Sequence, residues 1–139
     1  KQFPSLANAP VVYATENALY TAKYFAKAEY LDGFDEAKPM TVTSFATAGA
    51  AHCARPWSDI EARAHGDEGE LFNARTSCFS SALISAFLER AGAAGQEADA
   101  GASGVSPDVY FANHAGGVSI EWALGALVLG AREVGPAGA

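Results

Sequence analysis

Apolar side chains recur every three or four positions in several stretches of this chain, the spacing of a helix with one buried face. Leu19, Ala22, Phe25 and Ala26 mark the first. They predict a helix over residues 13–31, ended by Asp32-Gly33. Phe45, Ala48 and His52 or Cys53 form the inner stripe of a second, which Thr41 or Thr43 can cap and which Arg55-Pro56 breaks. Residues 57–64 read as a short helix with Pro56 near its start. The acidic, glycine-containing residues 65–73 read as a surface loop. Phe79, Leu83, Ala86 and Phe87 then supply the core face of a third long helix over residues 76–90, stopped by Gly92.

The remaining segments carry other signals. Residues 1–10 contain Pro4 and Pro10 and read as an extended lead-in; residues 34–39 are a polar connection. Residues 91–106 are Ala, Gly and Ser with little else, too poor in apolar area to offset their ordering entropy, which predicts a mobile loop. Val109, Tyr110 and Phe111 mark a strand over residues 108–112, with Val109 and Phe111 on one side and Tyr110 on the other. Such a strand should lie inside a sheet and be covered on both faces. Residues 113–117 turn the chain into a last helix from about Ser119 to Val134, stopped by Gly135-Pro136. One strand among four or five helices leaves backbone groups unpaired. The inventory therefore predicts a piece of a larger structure, with strand partners supplied by upstream sequence or another subunit.

Composition sharpens this picture in two places. Half of the 139 residues are hydrophobic, but many are Ala, which buries little area each, so the core should rest on the Phe, Tyr, Trp and Leu positions. The net charge of −7 argues against nucleic acid and anionic membrane surfaces as partners, since both need a basic face. The longest strongly apolar run, residues 122–131, is about half the roughly 20 residues a spanning helix needs. No signal peptide is evident, and a chain that begins at Lys1 rather than Met reads as a processed or truncated product.

Candidate chemistry is sparse. There is no GxxxxGK[ST] loop and no GxSxG elbow. Gly116-Gly117 reads as a strand-to-helix turn that could receive an anion. His65, in Ala64-His65-Gly66-Asp67, reads as solvated, and His114 as a turn histidine bonded to backbone. Glu16 and Glu121 near helix starts read as charges favourable to the helix dipole, with Glu16 also a possible catalytic carboxylate. Cys53 and Cys78 each lack a CxxC partner, and His52 beside Cys53 points elsewhere on a helix, so no zinc site is indicated. The plain reading of the two cysteines is a pair of buried free thiols.

Four segments, in order, nevertheless form a recognisable series: Val12-Tyr13-Ala14-Thr15-Glu16-Asn17-Ala18-Leu19-Tyr20-Thr21, Cys53-Ala54-Arg55-Pro56-Trp57, Cys78-Phe79-Ser80, and residues 108–112 followed by Ile120-Glu121-Trp122-Ala123-Leu124-Gly125-Ala126. Together they resemble the C-terminal part of the apyrases, the nucleoside triphosphate diphosphohydrolases that include guanosine diphosphatases. The first segment has fewer aromatics than that family's aromatic helix, and the loop at residues 91–106 is longer than expected for it.

The resemblance implies an α/β fold class: the helix-rich C-terminal portion of the second actin-like, ribonuclease-H-like lobe, incomplete on its own and spanning residues 1–139. It implies a Cys53–Cys78 disulfide and hence a secreted or lumenal location in the secretory pathway. Glu121, Trp122 and Gly125 fall in its fifth signature region. Tyr20 and Phe72, the latter in the loop before Cys78, match the aromatics that sandwich the nucleobase. The phosphate-binding turns, the carboxylates holding Ca²⁺ or Mg²⁺ and the catalytic glutamate belong to sequence upstream, so no catalytic or metal residue is assigned here and the isolated chain is expected to be inactive. The expected partners are a nucleotide and an upstream segment or companion chain. A non-catalytic structural or assembly subunit keeping the same fold is the alternative, and an unrelated small helical binding protein is the reading outside the family.

Overall fold

A computed structural model describes Leu6, residues 9–93 and residues 107–120. Along it run strand β1 (Val11–Tyr13), helices α1 (Asn17–Lys27), α2 (Val42–Cys53), α3 (Trp57–Arg63) and α4 (Glu68–Arg90), and strands β2 (Asp108–Tyr110), β3 (His114–Ala115) and β4 (Val118–Ser119). The class is mixed helix and small sheet.

Local chemistry explains the helix ends. The Thr41 side chain accepts from the Ser44 amide at 3.0 Å and caps α2. Asp67 caps α4 in the same way, accepting from the Glu70 amide at 2.9 Å, with Glu68 and Glu70 in the first turn. This cap extends α4 into the stretch expected to be a loop, so the helix starts eight residues before the predicted Thr76. At its other end Gly92 adopts φ 80° and the amides of Gly92 and Ala93 return to the carbonyls of Glu89 and Leu88. That paired closure is the Schellman motif. Helix α1 closes likewise, Glu29 and Tyr30 bonding back to Ala26 and Phe25. Glu29 takes the left-handed position at φ 62°, so the helix stops before the expected Asp32-Gly33.

The core sits where α1, α2 and β2 converge. Phe25, Phe45, Phe111, Leu19 and His52 are its largest fully buried side chains. The Phe45 and Phe111 rings lie 4.7 Å apart, and Phe25 meets Phe45 at 5.8 Å. The inner stripes expected of the first two helices are the buried ones.

Helix α4 is the main departure. Its expected core residues face outward: Phe79 is 72 % exposed, and Leu83 and Phe87 are more than half exposed. The buried face carries Ala74, Ser77, Ser80, Ser81, Ser85 and Leu88. Close approach to α2 selects these small groups. A Cβ placed on Gly49 would lie 2.7 Å from the Ser81 Cβ. One turn along, a disulfide joins Cys53 to Cys78, with 5.3 Å between the Cα atoms. The hydroxyl of Ser81 donates to the Cys78 carbonyl at 3.0 Å, so its polarity is absorbed by its own helix. The free-thiol reading is thereby replaced by a disulfide.

The lone strand has a partner after all. β1, read from sequence as the end of the lead-in and the start of a helix, pairs in parallel with β2 in the register Val11 with Asp108, Val12 with Val109 and Tyr13 with Tyr110. A parallel pair needs a long crossover, and here the four helices provide it. Val12 and Val109 are buried on the helical side, where Phe111 and Ala112 continue the burial. On the other face Val11 and Tyr13 are over one-third exposed, and Tyr13 stacks on Tyr110 at 5.4 Å. The expectation of cover on both faces, inside a larger sheet, therefore fails among the described residues.

β3 and β4 form a short antiparallel hairpin. Gly116 and Gly117, at φ 57° and 81°, give the two positive φ angles of a type I′ turn. Ser119 is thus strand rather than the first turn of a helix. The mobile loop expected over residues 91–106 falls outside the described residues apart from Ala91, Gly92 and Ala93, which close α4. The helix expected to follow Ser119, with Glu121, Trp122 and Gly125, also lies outside them.

Candidate functional site

Helices α1 and α4 run antiparallel, clasped at both ends. Asn17 Nδ2 donates to Ser80 Oγ at 3.2 Å, and Lys27 Nζ donates to Glu70 Oε1 at 2.5 Å. Between these clasps Tyr20 lies one turn from Asn17 on the same face of α1. Its side chain is 57 % exposed. Phe72 is 65 % exposed on the first turns of α4, in a helix rather than the predicted loop. Both expected base-stacking aromatics thus stand on paired helices with rings open to solvent, and neither is spent on the core.

A polar cavity of about 210 Å³ opens between α1, α3 and α4, and neither Tyr20 nor Phe72 lines it. Tyr24, Tyr30, Lys27, Arg63, Glu70 and Ile60 line it. Burial, followed by the neighbouring Tyr30 and Glu70, pushes the Tyr24 hydroxyl up to about 12, so the phenol stays protonated and able to donate. The hydrogen bond and charge of Glu70 raise Lys27 above its ordinary value. Arg63 donates to the Ala28 carbonyl at 3.2 Å, at the C-terminus of α1. The cavity is smaller than the roughly 300–1,000 Å³ of drug-sized ligand sites, so it suits a small polar group rather than a whole nucleotide.

His52 is buried against the cavity-lining Tyr24 and Tyr30. Its Nε2 lies 2.9 Å from the Ala74 carbonyl, which accepts, and that fixes the tautomer. The rings of Tyr24, Phe25 and Tyr30 surround it at 5.3 to 5.7 Å. It is a core histidine bridging α2 to α4. His65, at φ 48° between α3 and α4, and His114 on β3 are exposed. Among the described residues no three His, Cys, Asp or Glu side chains gather as a metal set.

Glu16, weighed from sequence as a helix-dipole charge, occupies the N-cap of α1 at φ 51° and ψ −116° without a side-chain capping bond. Its amide donates to Asn113 Oδ1 at 2.7 Å. This junction sits at the carboxyl ends of both parallel strands, where ligands collect in open α/β sheets. Neither it nor the cavity was visible in sequence, because their members come from distant segments and share no spacing.

Among the described residues no helix is long and apolar enough to cross a membrane. Comparison with known proteins finds no match: no protein-family model, curated protein or solved structure is similar to the chain.

Proposed function

We propose that this chain is the C-terminal portion of the second lobe of an apyrase-type nucleoside tri- and diphosphate hydrolase, and that it supplies the nucleobase side of the site. The observation that carries this reading is the pair of exposed aromatics, Tyr20 and Phe72, on the antiparallel helices α1 and α4. A solvent-open aromatic ring is what base stacking needs, and each stacked base contributes roughly 1–3 kcal/mol. The parallel strand pair with one open face supports a lobe that other sequence completes. The Cys53–Cys78 disulfide supports a secreted or lumenal setting. Phosphate binding, the Ca²⁺ or Mg²⁺ ion and water activation would come from the upstream segment or companion chain, so the 139-residue chain alone should release no phosphate.

Calorimetric titration of the chain with guanosine, GDP and inorganic phosphate tests this. Guanosine and GDP should bind with similar weak affinity and phosphate should not. Tyr20→Ala and Phe72→Ala should each weaken nucleoside binding by at least about tenfold. Binding of phosphate but not guanosine, or nucleoside binding indifferent to both substitutions, would overturn the reading. A non-catalytic assembly subunit is the second reading, favoured by the exposed Phe79 and Leu83 on α4. It predicts association with a companion chain that nucleotide does not alter.

A further inference from the structure

Tyr24 is only 9 % exposed, yet its hydroxyl makes no hydrogen bond among the described residues. A buried phenol normally finds a partner. This one lines the polar cavity between α1, α3 and α4. Tyr30 lines the same cavity, and its hydroxyl is equally without a partner among the described residues. Burial, with Tyr30 and Glu70 beside it, keeps the Tyr24 phenol protonated far above neutral pH. Two idle O–H donors thus face one space, and such donors call for an acceptor oxygen.

The walls also carry charge of both signs. Arg63 enters from the end of α3. One of its guanidinium nitrogens donates to the Ala28 carbonyl at 3.2 Å, and the other terminal nitrogen stands 4.0 Å from the Glu29 carboxylate. A guanidinium has five N–H donors, so several remain for a ligand. Glu70 enters from the first turn of α4. Its Oε1 accepts from Lys27 Nζ, while Oε2 has no hydrogen bond among the described residues.

This mixture selects against simple ions. A small anion drawn by Arg63 and the phenols is repelled by Glu70. A small amine drawn by Glu70 is repelled by Arg63 and Lys27. A molecule that holds a carboxylate and an ammonium group close together answers both. Size agrees: about 210 Å³ is several times the roughly 30 Å³ that one water occupies in the liquid, and far short of a nucleotide. Ile60 adds an apolar wall for a short aliphatic side chain.

We propose that this cavity binds a small free amino acid, its carboxylate accepting from Tyr24, Tyr30 and Arg63 and its ammonium group donating to Glu70. Neither Tyr20 nor Phe72 lines the cavity, so the site stands apart from the nucleotide reading.

Nuclear magnetic resonance titration of the isotope-labelled full chain tests it. Glycine and L-alanine should give saturable shifts, complete by about 10 mM, at amides of 24–30, 60–64 and 70–74. Acetate, methylamine and inorganic phosphate, each with charge of one sign, should bind at least about tenfold more weakly. Tyr24→Phe removes a single oxygen and keeps the ring, and it should weaken glycine and acetate alike by about tenfold while leaving methylamine unchanged. Glu70→Gln should weaken glycine by a similar factor and bring acetate level with it. Acetate or phosphate binding the native chain as tightly as glycine would overturn the proposal, as would glycine binding indifferent to Tyr24→Phe or no saturable shift at all. Should Glu70→Gln disturb resonances throughout α2, Tyr24→Phe and the ranking of ligands on the native chain decide.

Discussion

The backbone amide of Glu16 is held by the side chain of Asn113 across 97 residues of sequence, at 2.7 Å. This bond joins the start of α1 to the segment between β2 and the hairpin. It also holds Glu16 at φ 51° and ψ −116°, the region glycine favours at the first central position of a type II′ turn. Strain there costs about 1–3 kcal/mol. Glu16→Gly should therefore raise stability to urea by about 1 kcal/mol, and Asn113→Ala should lower it by about 1 kcal/mol. A destabilised glycine variant would show that the Glu16 side chain contributes more than its backbone costs.

Close approach at Gly49 makes a second prediction. Gly49→Val drives a branched side chain onto the Ser81 Cβ and should cost about 1–3 kcal/mol by overpacking. Adding Ser81→Gly should recover part of that loss. Equilibrium denaturation of the two single variants and the double variant gives the coupling, and strict additivity would show that the helices can separate freely.

The inverted face of α4 is tested by contrast. Phe79→Ser should change stability by less than about 0.5 kcal/mol, as for an exposed site. Phe45→Ala, in the core, should cost about 3–5 kcal/mol. Equal losses from the two would mean that Phe79 is covered in solution.

Tyr24 provides the alkaline signature. Burial raises its hydroxyl from 10.0 to about 12, so the folded state retains the phenolic proton more tightly than the unfolded one. The resulting stabilisation is complete below pH 10 and is lost as pH climbs towards 12. Ultraviolet titration should show a tyrosine ionisation towards pH 12, and Tyr24→Phe should delete that step. Its survival in the variant would assign the step to another ring.

Much of the helical frame was legible from periodicity, because α1 and α2 bury large apolar residues such as Leu19, Phe25 and Phe45 at regular spacing. Thr41 and Gly92 marked ends by known cap chemistry. The pattern failed on α4 for a physical reason. Burial there is decided by helix–helix distance, and small side chains such as Ser81 fit where Phe79 cannot. β1 escaped notice because three residues carry too little alternation to mark a strand, and its partner lies 97 residues on. The Cys53–Cys78 pairing followed from the resemblance rather than from spacing. Tyr20 and Phe72 were legible as aromatics, but their exposure, and the cavity formed by Tyr24, Tyr30 and Arg63, depend on contacts between helices that no local pattern encodes.

The Cys53–Cys78 bond has a mechanical consequence. It spans 25 residues, and within that loop lie α3, the first turns of α4, Phe72, and Arg63 and Glu70 of the polar cavity. Tension applied to the two ends of the chain bypasses this loop, passing directly from α2 to the second half of α4. In a single-molecule pulling trace the oxidised chain should extend about 80 Å less than the reduced one. The cavity-lining residues of α3 and α4 would remain tethered to one another after β1 and β2 have been drawn apart.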